Sequence, residues 1–396
     1  MSRAELFSEH VEFGKLHKNP KAPAFNPKHD LAPGKKPRIG FVSGDFRFHA
    51  MLFFALPLIE ARDKSAFEVF CYSTTTKTDP YTPDFRAGAD HWRDVRALST
   101  EALTQVIVAD QIDILIDLSG HAPHNRLPVF AAKPAPLQVA WGDYVDTRGL
   151  ETIDVLLGDA IHTPAEDDKY FTERVVRFAP DYVAYRPPHY APSVSARPTS
   201  APMVFGTFSE VTKIGSESIR LWAAVLKAVP ESRILLNGYL LADQTRQGNI
   251  ISAFMDEGIS NERVIFKDGG LHAAFLAQYA EVDVILDTAP YSGGLTTCEA
   301  LLMGVPVITV AGDRFCGRHA AAHLINGGFA EGVLPSRDDL VAKAKELAGN
   351  RARLAELRKT LRPKLLASRL CDVEAFAKDF YGALRTEWKA LSKKKG

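Results

Sequence analysis

Residues 282–302 read VDVILDTAPYSGGLTTCEALL. A short apolar strand ends at Asp287, and a helix that runs to Leu302 follows it. Between them, Gly293 and Gly294 permit a tight turn. This order of strand, glycine turn and helix is typical of a βα unit in a parallel sheet.

The same alternation extends outward in both directions along the chain. Short β-rich apolar runs alternate with helical stretches, and a Pro/Ser-rich break at residues 186–202 divides them into two sets. The pattern predicts two successive parallel sheets. The predicted strands are residues 38–43, 67–73, 112–118, 137–140 and 155–157 before the break, and 203–208, 233–236, 263–266, 282–286 and 305–310 after it.

We therefore predict an α/β fold of two Rossmann-like lobes with C-terminal helices. A ligand cleft is expected between the lobes, at the carboxyl ends of the strands. The predicted segments are a helical lead-in (1–34), an N-terminal lobe (35–190), a C-terminal lobe (198–370), and a C-terminal helix and tail (371–396).

The composition narrows the class of protein. The chain has 396 residues, and its 48 Lys+Arg balance 48 Asp+Glu, whereas a dedicated nucleic-acid binder usually carries a basic excess. The four cysteines are scattered without zinc-site spacing, and no apolar run is long enough for a signal peptide or membrane span. We expect a cytoplasmic protein with neither nucleic acid nor membrane as a partner.

The second lobe offers groups suited to a nucleotide diphosphate. Thr296 and Thr297 follow the glycine turn at a helix N-terminus, which favours a phosphate, and the Glu299 carboxylate suits a ribose diol. Lys213 follows strand 203–208, where its charge would offset that of a departing diphosphate without a metal. The alternatives are an ordinary capped glycine turn and a solvated lysine.

The first lobe offers two histidines at strand ends. His49 follows strand 38–43 at the start of a helix and suits a general base, although a helix-capping or partly buried histidine is the alternative. His121 follows strand 112–118 and would share the same rim. Residues 43–45 lack the glycine fingerprint of a nicotinamide dehydrogenase, and no Asp-x-Asp motif follows a strand. We therefore expect neither a metal nor another cofactor.

Several motifs together resemble the catalytic region of glycosyltransferase family 41, which includes protein O-GlcNAc transferase and plant SPINDLY. They occur in the family's order and cover nearly the whole chain. The motifs are residues 6–10 (LFSEH), 38–46 (RIGFVSGDF) with His49, 67–72 (FEVFCY), 134–139 (PAPLQV), 286–291 (LDTAPY), 296–299 (TTCE), 303–307 (MGVPV) and 370–372 (LCD) with Trp388.

The resemblance implies a GT-B fold and an inverting transfer of a sugar, with UDP-GlcNAc the favoured donor, to a Ser or Thr of a protein. It implies that the N-terminal lobe is the acceptor side and the C-terminal lobe the sugar-nucleotide side. It also implies that Lys213 binds the diphosphate and that His49 lies beside the reacting groups. Three further assignments complete the expected site: Gly294, Thr296 and Thr297 at the phosphates, Glu299 at the ribose, and a loop with Thr147 and Gly149 near the sugar.

Departures from the family pattern leave the donor open. The loop at 141–149 reads WGDYVDTRG, which loses a proline and gains Asp143 and Asp146. Leu295 replaces a polar residue of the Thr-rich turn, and Phe275 stands where a histidine usually contacts the nucleobase. GDP-fucose, UDP-glucose and a CMP-linked nonulosonic acid, as in flagellin glycosylation, are therefore alternative donors.

Two further expectations concern the protein as a whole. A non-catalytic scaffold that binds a sugar nucleotide is an alternative of another class, which the retained His49 and Lys213 disfavour. The TPR-type helical repeats that normally precede this catalytic region are missing from residues 1–396, so we expect an excised domain or a natural short form.

Overall fold

The computed structural model describes residues 1–19, 22–26, 28–32 and 34–395, with only the backbone at 394 and 395. The predicted connection that ends at Gly34 lies partly outside these residues, as does Gly396 at the end of the predicted tail. The strands are β1 (Arg38–Ser43), β2 (Glu68–Ser73), β3 (His91–Asp94), β4 (Ile114–Asp117), β5 (Leu137–Ala140), β6 (Val155–Gly158), β7 (Arg174–Arg177), β8 (Val204–Thr207), β9 (Arg233–Gly238), β10 (Val264–Asp268), β11 (Val284–Leu286), β12 (Val307–Val310) and β13 (Val333–Leu334).

Helices connect and flank these strands. Short 3-10 turns also occur, among them Val211–Lys213. The α-helices are α1 (Arg3–Leu16), α2 (Ala50–Glu60), α3 (Thr82–Gly88), α4 (Thr100–Ala109), α5 (Leu127–Ala131), α6 (Ser216–Ala228), α7 (Gln244–Asp256), α8 (His272–Ala277), α9 (Leu295–Leu302), α10 (His319–Asn326), α11 (Arg337–Gly349), α12 (Arg351–Leu366) and α13 (Val373–Lys395).

The chain forms two compact units. The first unit comprises Met1–Arg186 and Asp372–Gly396, and the second unit comprises Pro187–Cys371. The prediction gives the lead-in and the terminal helix segments of their own, whereas α1 and α13 both belong to the first unit. Trp388 of α13 is buried, and the Tyr381 hydroxyl donates to the Leu58 carbonyl oxygen at 3.1 Å.

Each unit contains one parallel sheet. The first has the order β3-β2-β1-β4-β5-β6-β7 and the second the order β10-β9-β8-β11-β12-β13, with parallel pairing throughout. The predicted α/β class is confirmed. The strand order reverses direction between β1 and β4 and between β8 and β11, and such switch points are where α/β sheets bind ligands.

Strands at or beside the sheet edges account for most of the difference between prediction and structure. The predicted strands do not include β3 (HWRD), β7 (RVVR) or β13, whose residues are mostly half-buried. The central strand β4 is buried along its whole length, so it forms the continuous apolar run that predicts a parallel strand. A strand at the edge of a sheet needs no continuous apolar run, because the outer side of that strand faces away from the core.

Helix α1 packs closely against the loop at 144–149 in the first unit. Gly149 has a φ of +72°, and a Cβ there would lie 1.9 Å from the His10 carbonyl oxygen. His10 Nε2 also lies 2.5 Å from the Tyr144 hydroxyl, and Arg3 forms an ion pair with Asp167. The absence of a side chain at Gly149 therefore allows the helix to approach the loop.

We expect Gly149→Ala to lower the free energy of unfolding by about 3 kcal/mol or more, because the new methyl group meets backbone and the left-handed φ is strained. Gly382→Ala is the control, since that helical glycine is exposed and an added Cβ meets nothing within 4 Å. It should be neutral or stabilise by up to about 1 kcal/mol. Urea unfolding measures both, and equal stabilities of the two variants would contradict the packing argument.

Candidate active site

The switch point of the second unit brings together Lys213 and the turn after β11. Lys213 lies in the 3-10 turn that follows β8. Its Nζ donates to the Ser292 carbonyl oxygen at 3.1 Å and lies 3.8 Å from the centroid of the Tyr291 ring. The predicted neighbourhood of Lys213 and the glycine turn is therefore present within one unit.

Asp287 holds the glycine turn in place. Its Oδ1 accepts from the backbone N–H of Thr288 at 2.8 Å and of Gly293 at 2.7 Å, and its Oδ2 accepts from the Thr309 hydroxyl at 2.6 Å. Burial raises the pKa of Asp287 to about 6, and these hydrogen bonds and the charge of Lys213 oppose the rise. The carboxylate is therefore a buried anchor with a cation nearby.

The turn leads directly into the N-terminus of α9. Gly294 occupies the N-cap position without a side chain to cap the helix. The Thr297 hydroxyl is buried and donates to the Gly293 carbonyl oxygen at 2.8 Å, whereas Thr296 is half-buried. The N–H groups at the start of a helix carry partial positive charge, so this end of α9 suits an anion.

Glu299 lies one turn into α9 and is paired with a histidine that the sequence analysis does not single out. His272 Nε2 lies 2.7 Å from Glu299 Oε1, and His272 Nδ1 lies 2.9 Å from the Tyr190 hydroxyl. Burial raises the pKa of Glu299, and His272 opposes the rise. The sequence signal that could have identified His272 is its position at the start of α8, just after a Gly-Gly pair.

An aromatic residue at the end of β9 was also missed. The Tyr239 ring is 42% exposed and runs nearly parallel to the Phe275 ring, at 6.1 Å between centroids. Burial raises the pKa of Tyr239, and the charge of Glu299 adds to the effect. Tyr239 therefore offers an aromatic face at the same edge of the sheet.

In the first unit, His49 follows β1 and occupies the N-cap position of α2, but its side chain makes no capping hydrogen bond. Its Nδ1 lies 3.8 Å from Asp143 Oδ1 and has no hydrogen-bond partner within the described part of the chain. Asp45 lies close to both, with one potential ligand atom of each residue within 4.8 Å of the others. His49 therefore does not cap the helix, but it is partly buried, as the other half of that alternative has it, with its Nδ1 enclosed and its side chain 30% exposed.

His121 follows β4 and packs beneath α1. Its Nε2 lies 3.1 Å from the Arg148 carbonyl oxygen, and its ring meets those of His10 and Phe13 edge-on, with centroids at 4.8 and 4.5 Å. Burial, together with the neighbouring His10, lowers the pKa of His121 to about 4. The imidazole is therefore neutral near pH 7.

The loop at 141–149 is organised from inside the first unit. Thr147 is fully buried and donates to Glu173 Oε2 at 2.6 Å, and the buried Arg148 donates to Asp117 Oδ2 at 2.7 Å. Gly149 serves the contact with α1. Donor contacts of Thr147 and Gly149 stay predictions, as do the roles of the other site residues.

The chain is similar to known proteins along nearly its whole length. The family model of glycosyl transferase family 41 matches residues 3–184 and 194–380. A probable UDP-N-acetylglucosamine–peptide N-acetylglucosaminyltransferase, SPINDLY, from Oryza sativa subsp. japonica is 31% identical over 395 residues; the match covers 97% of this chain and 42% of that protein. SPINDLY of Arabidopsis thaliana is 29% identical, with 98% and 43% covered.

The chain is also similar to solved structures. A mutant O-GlcNAc transferase of Thermobaculum terrenum is 34% identical with a TM-score of 0.93, and the match covers all of this chain and 76% of that one. Sucrose-phosphate synthase of Thermosynechococcus elongatus, at 17% identity and a TM-score of 0.60, covers 89% of this chain and shares the fold.

Two parallel α/β sheets, together with these similarities, define a glycosyltransferase of the GT-B class. The chain belongs to glycosyl transferase family 41. The predicted fold, family and enzyme class are thereby confirmed. The chain spans about two fifths of the length of the plant relatives it matches.

Among the described residues, no helix is both long and apolar enough to cross a membrane. The predicted cytoplasmic location stays a prediction.

The pKa of His121 predicts a pH dependence of stability. Its folded-state pKa, about 4, lies below the usual 6.5, so the unfolded chain binds the proton more tightly. The contribution of the neutral His121 ring to the free energy of unfolding is present in full above pH 6.5 and is lost as the pH falls toward 4. Allowing for partial exposure, we expect a loss of about 1 to 2 kcal/mol.

Urea unfolding between pH 7.5 and 4.5 measures this loss. His121→Gln should flatten the pH dependence, whereas His124→Gln, at an exposed position three residues along, should keep the slope of the wild type. An unchanged slope in His121→Gln would show that His121 does not cause it.

Proposed function

We propose that this chain catalyses inverting, metal-independent transfer of a sugar from a nucleotide donor to a Ser or Thr of a protein, with UDP-GlcNAc the favoured donor. The observation that carries the proposal is the position of Lys213 over the turn that Asp287 anchors, at the switch point between β8 and β11. The names of the relatives, which include peptide N-acetylglucosaminyltransferases, support the donor and acceptor classes.

In this proposal the second unit holds the donor. The backbone N–H groups at Gly294 and the hydroxyl of Thr296 bind the phosphates, with Lys213 as the cation. Thr297 shapes this turn, because its buried hydroxyl donates to the Gly293 carbonyl oxygen. The carboxylate of Glu299, oriented by its bond with His272, accepts hydrogen bonds from the ribose. The exposed ring of Tyr239 provides a face on which the nucleobase stacks.

We assign the first unit to the acceptor. The acceptor hydroxyl oxygen attacks the anomeric carbon, the bond from that carbon to the phosphate oxygen breaks with its electron pair, and the nucleoside diphosphate departs. Lys213 offsets the charge that develops on the departing oxygen. His49, whose side chain is 30% exposed, accepts or guides the hydroxyl proton, and Asp143, 3.8 Å from its buried Nδ1, stabilises the imidazolium.

His121 has a different role from that of His49. Its ring is neutral and bonded to the Arg148 carbonyl, so we propose that it positions the loop at 141–149 rather than carrying a proton. Thr147 and Gly149 then act on the sugar through the shape of this loop.

A second set of donors stays open because the base and phosphate sides differ from the family pattern. Leu295 brings no polar group to the Thr-rich turn, and Phe275 is buried against Phe208 and Tyr279. GDP-fucose, UDP-glucose and CMP-linked nonulosonic acids, the last with flagellin as acceptor, are the candidates.

The experiment is a donor panel. The chain is incubated with a pool of candidate acceptor proteins and each sugar nucleotide, and intact-mass spectrometry records the added mass. Transfer from UDP-GlcNAc, unchanged by EDTA, is the expected result. Transfer from another donor alone would replace the sugar, and EDTA inhibition reversed by Mg²⁺ or Mn²⁺ would contradict the metal-free proposal. Nucleotide binding without turnover for every donor and acceptor would favour a scaffold.

Lys213→Ala should reduce turnover by about 10² to 10³, because it removes a preorganised cation from the departing diphosphate. Nucleotide release measures turnover, and circular dichroism checks the fold. Lys227→Ala is the matched control, because Lys227 is exposed on α6 of the same unit. Turnover of Lys213→Ala equal to that of the control would remove Lys213 from the mechanism.

A further inference from the structure

A cavity of about 500 Å³ lies within the second unit, between the Pro-rich segment 194–199 and helix α12. This segment belongs to the Pro/Ser-rich break at residues 186–202, and it lies against the helix and forms one wall. The volume is in the range of small-molecule sites. Apolar contacts come from Val194, Pro198, Leu354 and Ala355.

The cavity carries a strong excess of positive charge. Five basic side chains line it, against the single carboxylate of Asp283, for a formal net charge of +4. The basic residues are Arg197, Arg351, Arg358, Lys359 and Arg362.

The protein compensates only part of this charge. Asp283 Oδ1 lies 2.9 Å from Arg197 Nε and 3.4 Å from Arg351 Nη1. Arg358 is buried and donates to the carbonyl oxygens of Tyr279 and Val282, which satisfies two of its N–H groups without neutralising its charge. Burial lowers the pKa of Arg358 to about 10, with Arg197 adding to the effect and Asp283 opposing it.

Arg362 and Lys359 complete the charged lining. Arg362 donates to the carbonyl oxygens of Leu302 and Pro192, at 2.5 and 2.7 Å. Lys359 is exposed, and no hydrogen bond or ion pair of its ammonium occurs in the part of the chain that the structure describes. It is a cation available to a ligand at the cavity.

This cavity is separate from the candidate active site. Asp283 precedes β11 and accepts from the Val204 N–H at the start of β8, so the cavity lies at the amino ends of these strands. Asp287 and Lys213 lie at their carboxyl ends. Asp287 lies four positions after Asp283, which is a distance of about 13 Å along an extended strand.

We propose that the cavity binds a small soluble organic phosphate, with its apolar body against Leu354 and Val194 and its phosphate group at Lys359 and the neighbouring arginines. The apolar wall and the uncompensated cations each recognise one half of such a ligand. An anion also relieves the repulsion among the cations. The site belongs to this chain whichever sugar nucleotide is the donor.

Hexyl phosphate is the probe, and isothermal titration calorimetry measures its binding to the whole chain. Hexanol and inorganic phosphate each match one half of the probe, and we expect both to bind at least about tenfold more weakly, since each loses one set of contacts. Higher ionic strength should weaken the binding of hexyl phosphate.

Four variants locate the probe. Lys359→Glu should weaken hexyl phosphate at least about tenfold through charge reversal, and Ala355→Trp should block the cavity. Lys364→Glu is the matched control, exposed on the same helix but outside the lining, and should bind like the wild type. Lys213→Ala should also bind like the wild type, which separates this site from the donor site.

The proposal is overturned by any of three results. The first is that hexyl phosphate does not bind to the wild type. The second is that Lys359→Glu and Lys364→Glu weaken its binding equally, and the third is that Lys213→Ala loses its binding. Thermal melting of each variant verifies folding, and Lys359→Glu alone decides the result if Ala355→Trp does not fold.

Discussion

The buried carboxylate of Asp287 is the interaction on which the candidate active site of the second unit depends. It accepts two backbone N–H groups and one hydroxyl, and thereby fixes the turn that carries Gly293 into helix α9. The indole N–H of Trp222 donates to the Asp287 carbonyl oxygen at 3.0 Å, which joins the same residue to α6. Asp287 thereby positions the turn that begins α9. The Ser292 carbonyl that receives Lys213 is held in addition by the Ser292 N–H and hydroxyl, which both donate to the Cys316 carbonyl oxygen.

Close packing makes the turn intolerant of a side chain. A Cβ at Gly293 would lie 2.9 Å from the Thr296 hydroxyl and 3.0 Å from that of Thr297. Glycine therefore serves here to bring hydroxyls, backbone N–H groups and the buried carboxylate into a small volume. Glycine has the same effect in the first unit, where Gly149 allows α1 to contact the loop that Arg148 and Asp117 hold in place.

Much of this architecture was predictable from the sequence because central parallel strands are apolar and their carboxyl ends meet at one edge. The runs around β1, β4, β8 and β11 predict the two sheets, and with them the positions of His49, Lys213 and the glycine turn. Edge strands such as β3 and β7 were missed because half-exposed strands have no continuous apolar run. The pairing of His272 with Glu299 joins residues 27 positions apart, and no local pattern specifies such a contact.

The account divides the work between the units: the second holds the nucleotide, and His49 of the first acts on the acceptor hydroxyl. The measurement that tests this division most directly is calorimetry of nucleotide binding alongside turnover for His49→Ala. The account predicts nucleotide affinity within a few-fold of wild type and turnover lower by about 10² or more. Nucleotide affinity that collapses in step with turnover would make His49 a donor ligand or a residue needed for folding, and would contradict the account.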